Sequence, residues 1–261
     1  MKRKLQSITS KLPAVIALCI LLLAWQAVST SGIVPDYMLP SPVKVLKVLI
    51  SDAETILTHG RVTLTEAFYG LLIGIGLAFI IATLMDYIPV MRKALYPIMI
   101  ITQTIPTIAL APLLVLWMGF GMAPQITLVV VTTFFPIAVG LLDGYQSVDP
   151  DAIALMRSMG ASDRAVFYHV KFPAALPYFF SGLKISASYA VVGAVISEWL
   201  GGFEGLGVYM TRVKKAYAFD KMFAVIVFII IISLLLMGLV NLIREISMPW
   251  ERAARKKNAA L

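Results

Sequence analysis

Apolar stretches long enough to cross a lipid bilayer recur along the whole chain. A spanning helix needs roughly 20 apolar residues. The chain is 60% hydrophobic and 14% charged, whereas soluble domains are roughly 25% charged. The pattern predicts an all-α, polytopic membrane protein of one domain, residues 1–261. The six expected transmembrane helices lie at about 12–29, 62–85, 95–117, 124–142, 177–198 and 222–243.

Basic residues are unevenly distributed between the segments that connect these spans. If the N-terminus is inside the cell, the inner segments carry about twice as many Lys and Arg residues as the outer ones. Cytoplasmic segments show such an excess, so both termini are predicted to be cytoplasmic. The inner bases are Lys2, Arg3, Lys4, Lys11, Arg92, Lys93, Arg157, Arg164, Lys171, Arg244, Arg252, Arg255, Lys256 and Lys257. The outer bases are Lys44, Lys47, Arg61, Arg212, Lys214, Lys215 and Lys221.

The remaining compositional features exclude several functions. The net charge of +8 is explained by anchoring at the membrane surface, and no nucleic-acid partner is expected. Cys19 is the single cysteine, so no intrachain disulfide can form. His59 and His169 fall on opposite sides of the predicted membrane, and a metal site that uses both is not expected.

A polar insert, residues 149–177, separates spans four and five. Its sequence, DPDAIALMRSMGASDRAVFYHVKFPAALP, predicts a helix, a glycine turn and a second helix. Asp149 suits the N-cap and Pro150 the first helical position. Gly160 suits the left-handed residue that closes a helix. The first helix is too short to span a bilayer and is expected to lie in a groove on a partner protein.

The second helix of the insert has its own start and stop signals. Ser162 or Asp163 is a suitable N-cap. Pro173 and Pro177 are expected to end the helix, because proline lacks the N–H group and its ring clashes with the preceding turn.

Polar and small residues within the spans suggest packing and a solute path. Gly70 and Gly74 form a GxxxG pattern that permits close helix approach, either inside one subunit or between two. Gln103, Thr104 and Pro106 lie in span three, where prolines leave carbonyl groups in need of other partners. These residues are candidates for lining a path, although a structural kink explains them equally well.

Three further features lie on the predicted outer side or near it. Residues 31–61 contain an amphipathic stretch, which predicts a short helix in the membrane interface. Ser197 and Glu198 end span five and are candidates for a gate, although an acid at the interface needs no special role. Gly201–Gly207, GGFEGLG, lacks the ending of a phosphate-binding loop and predicts a tight turn.

The insert also resembles a known family motif. Gly160 is followed at a fixed spacing by Val170, Phe172 and Pro173, which is similar to the cytoplasmic EAA loop of ABC importer permeases. The flanking sequences LPSPVKVL, TIPTIALAPLLVLWMGFG, FFPIAVG, ISEWLGG and GLGVYM resemble the nitrate, sulfonate, taurine and pyrimidine-precursor group. The resemblance covers about residues 35–245.

This resemblance implies a fold and a set of partners. The fold would be that of type I ABC importer permeases (MetI-like), with a cytoplasmic coupling loop at 149–176, in a bacterial inner membrane. The chain would form a homodimer, bind two ATP-binding subunits and receive solute from an extracytoplasmic binding protein. ATP and Mg would be held by the partner, so this chain would need no cofactor and perform no catalysis. The implied coupling residues are Arg157, Ser158, Gly160, Ala161, Ser162, Asp163 and Pro173.

The chain departs from the family motif at its name-giving positions. Ala154, Leu155 and Met156 stand where the motif has Glu-Ala-Ala. An ion pair from position 154 therefore cannot be carried over. Asp151 and Arg157 could compensate, but their spacing does not establish it.

Two other classes of membrane protein fit the composition. A membrane-embedded transferase would need clustered acids or a nucleophile with its base, and the close acids Asp149 and Asp151 are explained by helix capping. An ATP-independent secondary transporter or channel would leave the insert unexplained and often shows two related halves. Among family solutes, the sequence favours aliphatic sulfonates or thiamine-related pyrimidines.

Overall fold

The computed structural model describes residues 2–250, with side chains from Leu12 onwards. The bases from Arg252 onwards, which entered the prediction of orientation, lie outside the described residues. The helices are α1 (Lys2–Thr30), α2 (Pro42–Ser51), α3 (Ala53–Tyr87), α4 (Pro89–Thr104), α5 (Thr107–Met118), α6 (Met122–Gln146), α7 (Pro150–Ser158), α8 (Asp163–Val166), a π-helical turn (Phe167–Lys171), α9 (Phe172–Gly201), α10 (Leu206–Lys215) and α11 (Phe219–Ser247).

The described residues contain the membrane-spanning helices that the apolar pattern predicts. Five helices are long and apolar enough to cross a bilayer, and a bent pair, α4 with α5, supplies a sixth span if it is counted as one. The all-α polytopic fold is thus confirmed. Helix α2 is also the short helix predicted in the stretch 31–61, and Ser41 caps it by accepting a hydrogen bond from the backbone N–H of Lys44.

Span three is not the single helix that residues 95–117 predicted. Helices α4 and α5 meet at an angle of 101°. Ile105 and Pro106, which separate them, both have extended backbone conformations. Proline drives the residue before it out of the helical region, so the chain turns at this point.

The prediction that Pro173 and Pro177 end the second helix of the insert is also wrong. Helix α8, the π-helical turn and α9 form one helical segment, Asp163–Gly201. In the π-helical turn the N–H of Phe172 donates to the carbonyl of Phe167, a wider spacing than in an α-helix. The wider turn makes room for the Pro173 ring, and the insert continues directly into the membrane span.

The described chain divides into two compact units, and unit one contains residues up to Thr58 together with Tyr209–Phe228. Within unit one, Asp52 accepts a hydrogen bond from the Tyr209 hydroxyl, and its Oδ1 lies 3.4 Å from Nζ of Lys221. Burial, and then the hydrogen bond to Asp52, raise the pKa of Tyr209. These contacts join the C-terminal cap of α2 to α10 and the start of α11.

Unit two contains residues 59–208 and the described residues from Ile229 onwards. Its core is formed mainly by α6 and α9. Gly144 permits their close approach, because a Cβ atom there would lie 2.5 Å from Cα of Ala175. Gly70 and Gly74 of α3 likewise face Val129 and Thr133 of α6. The GxxxG pattern therefore serves packing within the subunit.

Candidate functional site

Helix α7 of the insert has apolar side chains that the rest of the described chain leaves exposed. Asp149 caps the helix by accepting a hydrogen bond from the N–H of Asp151 at 2.9 Å, and no residue of α7 is buried. Leu155 and Met159 are 62% and 76% exposed. Exposed apolar side chains one turn apart are typical of a helix that lies in a partner's groove.

The end of α7 is fixed by a Schellman motif. The N–H of Ala161 donates to the carbonyl of Met156, and the N–H of Gly160 donates to that of Arg157, both at 3.0 Å. Gly160 has φ +85°, a left-handed conformation that glycine adopts without steric cost. Ser162 then caps α8 by accepting from the N–H of Ala165. The predicted helix, turn and cap are confirmed.

An ion pair closes the turn of the insert. Nη2 of Arg157 lies 2.9 Å from Oδ1 of Asp163, and both side chains are exposed. Exposed ion pairs contribute roughly 0–1 kcal/mol, so this pair orients the turn more than it stabilises it. The sequence left open whether Asp151 and Arg157 compensate for the missing glutamate, and in the structure Arg157 pairs with Asp163.

A second ion pair, which the sequence did not reveal, joins the insert to α3. Nζ of Lys171 donates to both carboxylate oxygens of Asp86, at 2.9 and 2.8 Å. The side chain of Asp86 is 8% exposed and that of Lys171 is 23% exposed. A cavity of about 310 Å³ is lined by both ion pairs. The contact attaches the start of the α9 segment to the end of α3.

Aromatic packing attaches the same part of the insert to the core of unit two. The ring of Phe167 lies 5.6 Å from that of Tyr87 in α3 and 5.3 Å from that of Tyr145 in α6. Ring pairs at such distances each contribute about 0.5–1.5 kcal/mol beyond area burial. The second half of the insert is therefore anchored, while α7 remains exposed.

The predicted coupling residues share one short stretch of this insert. Ser158 and Asp163 are exposed, Ala161 is half-buried and Pro173 is half-buried at the start of α9. The hydroxyl of Ser158 donates to the carbonyl of Leu155 at 2.7 Å.

The predicted path residues of span three lie at the break between α4 and α5. Gln103 lines a cavity of about 210 Å³ with Thr107, Thr132 and Tyr189. Thr104 and Pro106 are exposed beside it. The structure therefore brings Gln103 together with Thr107 of the same predicted span, and with Thr132 of α6 and Tyr189 of α9, which the sequence did not single out.

Ser197 and Glu198 do not line that cavity. Glu198 is fully buried, and its carboxylate accepts from the Thr63 hydroxyl at 2.6 Å and from the N–H of Gly207 at 2.5 Å. The interpretation of Glu198 as an acid at the interface is therefore wrong. A Cβ atom at Gly205 would collide with the Glu198 carboxylate, so the glycines of the turn are needed to admit this side chain.

The two histidines take part in separate contacts. Nδ1 of His59 accepts from the N–H of Gly205 at 3.2 Å, and Nδ1 of His169 lies 2.9 Å from the carbonyl of Ala165. Among residues 12–250, no group of three His, Cys, Asp or Glu side chains could hold a metal ion.

Two functional candidates within the spans escaped the sequence reasoning. Glu66 is a lone acid in the apolar run of span two, and Gln125 lies near the start of α6. Both are fully buried. The cost of a carboxyl group in a membrane span was a signal that could have found Glu66. Asp86 lies just beyond the end of predicted span two, where an acid carries no comparable signal.

Comparison with known proteins identifies the family. Residues 70–249 match the family described as the binding-protein-dependent transport system inner membrane component, and the chain belongs to it. It is therefore a membrane permease subunit of an ABC importer, as the resemblance predicted, and neither an ATP-independent carrier nor a transferase. The family is one of transport proteins, and it implies ATP-binding subunits and a binding protein as partners.

Individual relatives and a solved structure show which ABC transporters the chain is similar to. The chain is 40% identical over 217 residues to a probable ABC transporter permease protein of Haemophilus influenzae, covering 83% of this chain and 89% of the relative. It is 35% identical over 233 residues to the formylaminopyrimidine transport permease protein ThiX of Halalkalibacterium halodurans, covering 89% and 93%. The fold is similar to that of the MetNI methionine ABC transporter, with a TM-score of 0.59 and 21% identity over 74% of this chain and 94% of that one.

Proposed function

We propose that α7 is the coupling helix, and that it lies in a groove on a separate ATP-binding subunit. The single observation that carries this proposal is the exposure of Leu155 and of the C-terminal cap residue Met159 on a helix that is capped at both ends. That subunit would hold ATP and Mg and hydrolyse the nucleotide, while this chain needs no cofactor.

Movement of α7 would be transmitted to the membrane helices as rigid-body motion. Phe167 and the Asp86–Lys171 ion pair anchor the insert to α3 and α6. The insert is continuous with α9. Each nucleotide state of the ATP-binding subunit would then favour a different arrangement of the spans, which is how ligand binding shifts a conformational equilibrium.

The charges of the chain support one orientation in the membrane. The excess of Lys and Arg in alternate segments supports cytoplasmic N- and C-termini. The insert is then cytoplasmic as well, where an ATP-binding subunit can reach it.

A second copy of this chain would complete the solute path. The cavity that Gln103, Thr107, Thr132 and Tyr189 line together with apolar residues is small, and it would form one half of a path between two copies. Thr104 and Pro106, at the break beside it, would border the path. Glu198 would act indirectly, because it holds the turn at Gly205–Gly207 that would help to seal the outer side.

A binding protein outside the membrane would deliver the solute. Among the solute classes that the resemblance implies, we favour a formylaminopyrimidine-like compound, since a relative named for its transport is 35% identical.

The test is whether α7 binds the ATP-binding subunit. The double variant Leu155→Asp, Met159→Asp places two carboxylates on the apolar face, and we expect at least tenfold less cognate ATP-binding subunit to co-purify. Ile50→Asp is the matched control, since Ile50 is 70% exposed on α2, on the proposed outer side. Equal recovery of the ATP-binding subunit with the wild type, the double variant and Ile50→Asp would refute the assignment of α7 as the coupling helix.

A further inference from the structure

An apolar groove lies between α3, α4 and α6 within unit two. Its volume is about 370 Å³, and apolar side chains from all three helices line it, among them Leu77, Leu95, Met99 and Phe134. Thr102 also lines it, and its hydroxyl donates to the carbonyl of Met99 at 2.7 Å. Because that donor already has an acceptor, the lining suits hydrocarbon. We call this space the α4 groove.

The α4 groove is about as long as one leaflet of a bilayer is deep. Leu95, Met99 and Thr102 line it at intervals of four and three residues, which place them on one face of α4. Arg92 lies one turn earlier on the same face, and from Arg92 to Thr102 the helix rises about 15 Å at 1.5 Å per residue. The hydrocarbon core is roughly 30 Å thick, so this length matches a single acyl chain.

Two bases lie at the end of the α4 groove where α4 begins. Arg92 and Lys93 are exposed, and among the described side chains neither has an acidic partner within 4.0 Å. The acid nearest to them in sequence, Asp86, is held by Lys171. Long basic side chains near the end of a spanning helix extend to the membrane surface, so both charges are available to an anionic headgroup there.

We propose that the α4 groove binds an anionic phospholipid. One acyl chain lies between α3, α4 and α6, and the phosphate group lies beside Arg92 and Lys93. In the proposed orientation, this site faces the cytoplasmic leaflet. The chain of a zwitterionic lipid would fit the groove equally well, but its headgroup carries an ammonium group that offsets the attraction of the two bases for its phosphate.

The first test measures lipid binding to the assembled transporter. The permease with its ATP-binding subunits is delipidated in detergent, and native mass spectrometry compares phosphatidylglycerol with phosphatidylcholine of the same acyl chains. We expect phosphatidylglycerol to bind at least tenfold tighter. Arg92→Gln with Lys93→Gln should remove this preference, because each base near an anionic surface contributes about fivefold. Lys214→Gln with Lys215→Gln, which changes two exposed bases at the end of α10, should leave it unchanged.

The second test identifies what covers the α4 groove. In a Cys19→Ala background, Ile98→Cys places a cysteine in the lining, where it is coupled to benzophenone and irradiated in nanodiscs that contain both lipids. We expect adducts enriched in phosphatidylglycerol, and Thr102→Trp, which fills the groove, should reduce them at least fivefold. Ile101→Cys is the matched control, because Ile101 is 61% exposed on the same helix but does not line the groove. Its adducts should show no such enrichment.

These results separate the lipid from other occupants. Equal binding of the two lipids by the wild type, or an unchanged preference in the Arg92→Gln, Lys93→Gln variant, overturns the inference. Cross-linking of Ile98→Cys to the second copy of the chain also overturns it and assigns the α4 groove to contact between copies. Recovery of the ATP-binding subunits at the wild-type ratio checks that each variant is folded. The proposed function stands in each of these cases, because it depends on α7.

Discussion

The ion pair between Asp86 and Lys171 offers a quantitative test of how the insert is attached. Lys171→Met removes the ammonium group and leaves Asp86, 8% exposed, without its ion-pair partner. Exposed ion pairs contribute roughly 0–1 kcal/mol, and breaking a buried pair costs about 3–5 kcal/mol. Lys171 is 23% exposed, so the pair lies between these cases, and we expect a loss of about 2 kcal/mol.

This loss of stability should weaken the coupling of ATP hydrolysis to solute uptake more than it weakens binding of the ATP-binding subunit. A cost of 2 kcal/mol changes an equilibrium constant about thirtyfold, here the equilibrium between attached and detached states of the insert. The apolar face of α7 is unaffected, so the ATP-binding subunit should still co-purify. We therefore expect less solute taken up per ATP hydrolysed in proteoliposomes that contain the binding protein.

The double variant Asp86→Lys, Lys171→Asp tests the same contact with its charges exchanged. It should recover a large part of the coupling, because an ion pair forms again with the acid and the base exchanged. A double-mutant cycle of the two single variants and the double variant isolates the energy of this pair. Wild-type uptake per ATP in Lys171→Met, or a double variant no better than the single ones, would refute the reasoning.

Three other predictions concern single positions. Gly160→Val forces a branched side chain into a left-handed conformation at φ +85°, at about 1–2 kcal/mol, and should weaken recovery of the ATP-binding subunit, whereas Gly160→Asn should retain it. Gly207→Ala places a Cβ atom 2.9 Å from Cβ of Glu198 and should lower the Tm of the detergent-solubilised chain. The hydrogen bond of Tyr209 to Asp52 should be lost at high pH. Because burial raises the pKa of Tyr209, its stabilisation is complete below the ordinary tyrosine pKa of about 10 and falls as pH rises further.

These predictions have separate controls. Among the described residues, no heavy atom lies within 4 Å of a Cβ atom built at Gly160, so equal effects of Val and Asn there would contradict the conformational argument. An unchanged Tm in Gly207→Ala would contradict the prediction, because the turn would then move away from Glu198 at no measurable cost. For Tyr209, the wild-type Tm should fall more between pH 9 and pH 11 than that of Tyr209→Phe, and parallel curves would contradict the assignment.

The spans and the insert could be predicted because their signals are local. Hydrophobic length alone located the spans, and Asp149, Gly160 and Ser162 occupy capping positions whose chemistry depends on neighbouring backbone groups. The break at Pro106 was foreshadowed by the prolines of span three, but its angle depends on what α4 and α5 pack against.

The contacts that organise the candidate site could not be predicted because they join distant residues. Lys171 meets Asp86 across eighty-five positions of the sequence, and Thr63 meets Glu198 across 135. Only the packing of α3 against the other helices brings them together. Pro173 misled the sequence reasoning because a π-helical turn, which accommodates it, has no clear sequence signature.

Disulfide cross-linking tests the central claim most directly. In a Cys19→Ala background, Met159→Cys provides a single exposed cysteine on α7, to be paired with cysteines placed around the groove of the cognate ATP-binding subunit. We predict a cross-link whose yield changes when ATP is added, together with uptake that requires the ATP-binding subunit. Absence of any cross-link at Met159→Cys, with solute uptake that continues without the ATP-binding subunit, would contradict the account.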